Sequence, residues 1–180
     1  MMNKKEELLI NAAKIIYEEG IQKLTIDYLA QKSNITKGGV LYHFESKSKL
    51  ILQMNKLAIE RFEHLLTYYA DKLSGQSIFT RAYAYATLDF FKRPEIELLP
   101  AVFISSLEDE ESFKLWEKTS QAWEEKFKND SGDKNANLIL QLMCDGIWFS
   151  ILFDAEKSLD KHLETLVLHY CQSLEEKRSF

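Results

Sequence analysis

The chain has 180 residues, 46% of them hydrophobic and 28% charged, which gives a soluble globular protein enough apolar material for a core without metals or disulfides. Only six Gly and two Pro are present, too few for the frequent turns of a sheet protein. An all-α fold is expected, and the longest strongly apolar stretch, around 146–153, is far short of the roughly 20 residues a membrane span requires.

Apolar residues at 8, 9, 12, 13, 15 and 16 mark a first helix, with Gly20 as its stop. Thr25 then precedes Ile26, Leu29 and Ala30 and acts as the N-cap of a short second helix ending near Ser33. Asn34 tolerates the left-handed conformation of a tight turn, and Ile35 anchors that turn. Thr36 caps a third short helix through about His43, and Ser46 caps a long fourth helix with Leu50, Ile51, Met54, Leu57, Ala58, Phe62, Leu65 and Leu66 on its inner face. Ser74 and Gly75 break that helix. Further helices are expected over 78–92, 111–128, 135–154 and 159–174, with Pro94 and Pro100 as punctuation and 129–133 as a loop.

The net charge of −5 is unevenly spread. Residues 1–50 hold eight Lys and six acids, whereas 51–180 hold 15 basic and 22 acidic residues. Four Lys between positions 32 and 49, against Glu45 alone, make a small cationic patch that suits a polyanion. Chance on a solvated face gives the same count.

Two short helices joined by a tight turn, the second one Lys-bearing and N-capped, match a helix-turn-helix. A helix fits the major groove if small or polar residues face the bases and apolar ones face the protein. Val40, Leu41 and Phe44 can form the inner face, leaving Lys37, Gly39 and Tyr42 outside. Gly38 and Gly39 each weaken a helix by about 1 kcal/mol. They permit close approach of a bulky partner such as a duplex, or they mark a simple turn between core helices.

Residues 9–50 resemble the N-terminal DNA-binding domain of the TetR family of bacterial transcription regulators. The resemblance is carried by Ala12-Ala13, Glu18-Glu19-Gly20, Thr25-Ile26 with Leu29-Ala30, Ile35-Thr36-Lys37-Gly38-Gly39, and Tyr42-His43-Phe44 with Ser46-Lys47. It implies an N-terminal three-helix helix-turn-helix domain, 1–46, joined through a long helix to a C-terminal helical effector-binding and dimerisation bundle, 47–180. It places Thr25 at a phosphate contact, Thr36, Lys37, Gly38 and Gly39 at the start of the recognition helix, Tyr42 and His43 at its end, and Lys47 at a second phosphate contact. Leu41 stands where many relatives carry an aromatic, so that role passes to Tyr42. Hydroxyl, ammonium and helix N-terminal N–H groups are the ones phosphates bind.

The expected function is that of a ligand-responsive transcriptional regulator, a repressor released from a palindromic double-stranded operator by a small apolar or aromatic effector. The alternative is a helical ligand-binding or scaffold protein whose helix-turn-helix does not bind DNA. Tyr83, Trp116 and Trp148 are the candidate effector contacts, each with a polar atom beside a large apolar face. Residues 138–153 are apolar on more than one face and 159–174 carry an apolar stripe; pairing them with a second copy makes a homodimer, whereas burial within one subunit is the other solution. No catalytic motif is present, and His162 and His169 fit an exposed or interface pair better than a metal site, so no enzyme activity, metal or cofactor is expected. The acidic run 108–111 is expected on a solvent face. Cys144 and Cys171 suit reduced thiols, and nothing resembling a signal peptide follows Met1, so a cytoplasmic protein is expected.

Overall fold

A computed structural model of the chain describes residues 3–93, 98–150 and 160–175. The described residues are helical, with no strand among them. In chain order they form α1 (Lys4–Glu19), a 3₁₀ turn (Ile21–Lys23), α2 (Ile26–Lys32), α3 (Lys37–His43), α4 (Lys47–Ala70), α5 (Ile78–Phe90), α6 (Leu99–Glu108), α7 (Glu110–Asn129), α8 (Lys134–Ser150) and α9 (Lys161–Glu175). Pro94 and the expected helical residues 151–154 lie outside the described residues.

The helices fall into two compact units, Met1–Ile59 with Glu97–Lys118, and Glu60–Ile96 with Thr119–Phe180. The first unit thus takes in the first half of α4. Packing is the reason: Leu50, Ile51, Met54 and Ala58 of α4 belong to the same buried cluster as α1, Leu29, Val40 and Phe44. Leu98, Ala101 and Val102 complete that cluster from a distant part of the sequence. Helices α4 and α7 each supply residues to both units.

In the first unit, Asn3 caps α1 by accepting from the Glu6 backbone N–H, and Gly20 ends it at φ +89°, a conformation L side chains rarely adopt. The α2 to α3 turn forms as the residue types dictate, with Asn34 at φ +56°. Val40 and Phe44 are buried, one turn apart, but Leu41 is 39% exposed. It sits about 100° around the helix from Val40, and a seven-residue helix buries only one narrow face. Helix α6 is an element beyond those expected, and Pro100, expected as punctuation at a helix start or end, sits in its first turn, where its missing N–H costs no hydrogen bond. Phe113, an apolar residue of α7, is half exposed.

In the second unit, α5 packs against both α8 and α9 and buries residues around much of its circumference. Arg81 of α5 is fully buried yet well used: Nη1 donates to the Ser74 carbonyl at 2.8 Å and the Gln76 carbonyl at 3.2 Å, and Nη2 pairs with Glu175 at 2.9 Å. Those contacts tie the α4–α5 connection and the end of α9 to α5. Asp130 clasps the start of α5, its Oδ2 accepting from both the N–H and the hydroxyl of Thr80 at 2.7 Å. Gly132 follows at φ +88°, and Ser77 sits at φ +56° with its hydroxyl donating to the Ser131 carbonyl at 3.2 Å.

Candidate nucleic-acid interface and aromatic cluster

The exposed end of α3 is built by its cap. Thr36 Oγ1 accepts from the Gly39 N–H at 3.1 Å, which fixes the first turn and leaves Lys37 and Gly38 on the surface. Thr25 does the same for α2, accepting from the Tyr28 N–H at 3.1 Å, and is itself exposed. A hydroxyl that caps through a lone pair keeps its O–H for donation, so both threonines present a donor at a helix N-terminus. Tyr42 is 86% exposed at the far end of α3, with the His43 ring edge-on to it at 5.1 Å. Thr25, Thr36, Lys37, Gly38 and Tyr42 are thus exposed, while Gly39 and His43 are half-buried.

Both glycines of α3 have helical backbone angles, and neither requires the absence of a side chain. A Cβ on Gly38 meets only Thr36 Oγ1 at 3.9 Å; on Gly39 it meets Ile35 Cδ1 and Thr36 Oγ1 at 3.4 Å, ordinary contact distances. The chain therefore carries two poor helix formers where its own packing accepts alanine.

The four lysines between positions 32 and 49 have partners. Lys37 pairs with Asp27 at 2.9 Å, Lys32 with Glu19 at 3.0 Å and Lys49 with Glu111 at 2.8 Å. Lys47 donates to the Ile21 carbonyl at 2.8 Å and is half-buried, so its ammonium ties the turn after α1 to the start of α4. The pairing with Glu19 and its other neighbours raises the pKa of Lys32, and pairing with Glu111 raises that of Lys49, so both remain cationic.

The three candidate effector residues fall in different units. Trp116 belongs to the first unit, where its Nε1 donates to Asn55 at 2.7 Å and its ring stacks on Phe103 at 6.4 Å. Tyr83 and Trp148 belong to the second unit and both pack edge-on against Phe62, at 5.3 and 5.1 Å, in a cluster that includes Phe90 and Trp123. Their polar atoms are occupied: Tyr83 donates to Asp145 Oδ1 at 3.2 Å, and Trp148 to Thr87 Oγ1 at 3.1 Å. Burial pushes the Tyr83 hydroxyl well above the usual phenol range. Asp145 is outside the expected site residues, and its signal in the sequence is that of an isolated acid within the apolar run 138–153. The residue is exposed at the surface of α8, but its carboxyl group is crowded, and that burial raises its pKa.

The outer face of α8 carries Leu138, Leu142 and Phe149, all more than half exposed, with Ile139 at 48% and Leu166 of α9 at 45%. Leu140, Cys144 and Ile147 fill the opposite face. Burial raises the pKa of Cys144, and that of Cys171 to about 12, so both thiols stay protonated. Among the described residues no cluster of His, Cys, Asp or Glu is arranged to hold a metal, and no helix is long and apolar enough to cross a membrane.

Residues 5–54 match the bacterial regulatory proteins of the tetR family, and residues 77–169 match the tetracyclin repressor-like C-terminal domain. The Transposon Tn10 TetC protein of Escherichia coli is 31% identical over 70 residues, 38% of this chain and 36% of that protein. The aligned segment thus spans about a third of the relative's length. Among solved structures, a TetR-family member from Streptomyces coelicolor A3 superposes with a TM-score of 0.63 at 15% identity, covering 93% of this chain and 98% of that one. The fatty acid degradation regulator FadR from Bacillus halodurans gives 0.62 at 15% identity, covering 99% and 98%. At such identity the likeness is one of fold.

Proposed function

The chain belongs to the TetR family of bacterial transcriptional regulators, non-enzymatic DNA-binding proteins, and on that premise we propose that it is a cytoplasmic homodimeric repressor of a palindromic operator. The DNA-reading part is residues 1–46, with Thr25, Thr36, Lys37, Gly38, Gly39 and Tyr42 facing the duplex and His43 and Lys47 at the margin. The observation that carries the reading is Gly38-Gly39. Two glycines on a helix that has room for alanine are a cost to the fold, and that cost makes sense if something outside the chain must come within van der Waals distance of α3. A duplex entered by the amino-terminal end of α3 is such a partner, with two copies reading half-sites about 34–36 Å apart.

The outer face of α8, with α9, supplies the dimer contact in this reading, since five large apolar side chains lie exposed there. The effector is a small apolar or aromatic molecule held in the second unit near Tyr83, Trp148 and Phe62. A tenfold loss of DNA affinity on effector binding needs about 1.4 kcal/mol of coupling, within the usual allosteric range. Helix α4, which begins beside the recognition helix and runs into the second unit, is the element through which that coupling travels.

Gly38→Ala and Gly39→Ala test the reading with DNA taken from upstream of the protein's own gene. Each substitution is expected to leave Tm unchanged or raise it, while weakening binding about tenfold or more (about 1.4 kcal/mol). Unchanged DNA affinity in both variants refutes the close approach. The second reading, a helical protein whose helix-turn-helix does not bind DNA, is favoured by the lysine partners on the N-terminal face. It is selected if the wild-type protein binds no duplex even at low salt.

A further inference from the structure

We propose that Asp27 is a specificity-determining residue of the DNA face: it holds the Lys37 ammonium away from phosphates and so suppresses binding to arbitrary duplex. The proposal rests on the DNA-binding reading above. Lys37 is the first residue of α3, and its Nζ lies 2.9 Å from Asp27 Oδ2 in the first turn of α2. The two side chains are 57% and 69% exposed, so the pair is a solvent-screened surface feature that adds little to folding.

A lysine at the amino end of a helix has the wrong sign for the helix dipole, and Asp27 offsets it in the free protein. When phosphates approach the ends of α2 and α3, the same carboxylate repels them. Lys37 then reaches a phosphate only by leaving Asp27. A duplex that also engages Tyr42 and packs closely on Gly38-Gly39 compensates for that exchange. Arbitrary DNA depends on the electrostatic contribution alone and is penalised in full. Lys32 and Lys49 are paired too, but with Glu19 of α1 and Glu111 of α7; Asp27 is the partner of the recognition helix itself.

The test uses the full chain as wild type, Asp27→Asn, Lys37→Ala and the double variant. Binding is measured by anisotropy on a short mixed-sequence duplex across a salt series, and on duplexes that the wild type enriches from a random pool. Asp27→Asn is expected to tighten mixed-sequence binding about three- to tenfold at low salt and to steepen the salt slope by up to about one. The gain is expected to be smaller on enriched duplexes, and to shrink below twofold when Lys37 is absent. Unaltered affinity and slope in Asp27→Asn overturn the proposal while leaving DNA binding intact. An equal gain with and without Lys37 also overturns it, since it reports only the loss of one negative charge. If no variant binds any duplex, this proposal and the DNA-binding reading fall together. Melting curves of the four proteins serve as the folding control, and the exposed pair predicts small differences among them.

Discussion

The indole Nε1 of Trp116 donates a 2.7 Å hydrogen bond to Oδ1 of Asn55, a side chain with no exposed surface. The Asn55 amide nitrogen completes the arrangement by donating to the Ile51 carbonyl at 2.9 Å and to Ser105 Oγ at 3.3 Å. One polar residue of α4 thus joins α6 and the start of α7. Replacing Asn55 with Ala removes an acceptor from the indole and a donor from Ser105, and leaves a void. A loss of about 2–4 kcal/mol of stability is expected by denaturant unfolding. Trp116→Phe, which keeps an aromatic ring beside Phe103, should cost less, about 1–2 kcal/mol. Equal stability of Asn55→Ala and wild type contradicts the hub.

Gly132 offers a sharper backbone test. A Cβ there lies 2.5 Å from Ser77 Oγ, at a backbone φ of +88°. The hydroxyl is on a short side chain bonded to Ser131, so it has little room to yield. Gly132→Ala should cost about 2–3 kcal/mol, strain and overlap adding together. Gly38→Ala, where neither problem exists, is the matched control.

Asp145 predicts a pH dependence. Its folded-state pKa is raised by burial, so the folded protein binds a proton more readily than the unfolded chain. Its contribution to stability is therefore greatest below the ordinary carboxylate pKa and declines as pH rises through the raised value. At neutral pH the ionised carboxylate is a liability. Asp145→Asn keeps an acceptor for the Tyr83 hydroxyl and should raise Tm at pH 7, with the difference vanishing in acid. A variant that melts below wild type at pH 7 shows that the charge itself is needed.

Leu142 is 59% exposed on the outer face of α8. Under the dimer reading, Leu142→Glu should convert the protein to monomers in sedimentation experiments without loss of helicity, because one copy leaves that side chain in water. Two introduced charges facing each other across a two-fold contact carry both desolvation and repulsion. A dimer of unchanged stability places the contact on another surface.

The local features of the first fifty residues were legible because each rests on one residue's chemistry. Thr25 and Thr36 cap because a hydroxyl accepts from a nearby N–H, and Asn34 turns because it tolerates positive φ. What depends on distant parts of the chain was not. Trp116 lies in an apolar stripe like any other, and nothing local says that its half of α7 joins the first unit. Leu41 and Phe113 count as apolar in a pattern, yet each sits on a side of its helix that is only partly covered. Asp109, one of an acidic run expected on a solvent face, accepts from both the N–H and the hydroxyl of Ser112 at the start of α7. In the candidate site, residue types were readable, but their partners were not. The carboxylates opposite Lys37 and Tyr83 come from another helix in each case, and only the fold sets them there.

The first unit is assembled from two stretches of sequence separated by thirty-seven intervening residues, with Leu98, Ala101 and Val102 sealing a cluster built mostly before residue 59. A genetic graft that transplants only the amino-terminal stretch onto a foreign sensor would leave that seal behind. Sensor exchange among relatives of this architecture must carry 97–118 as well, or supply a replacement lid of matching shape, before the transplanted reader is tested for its operator.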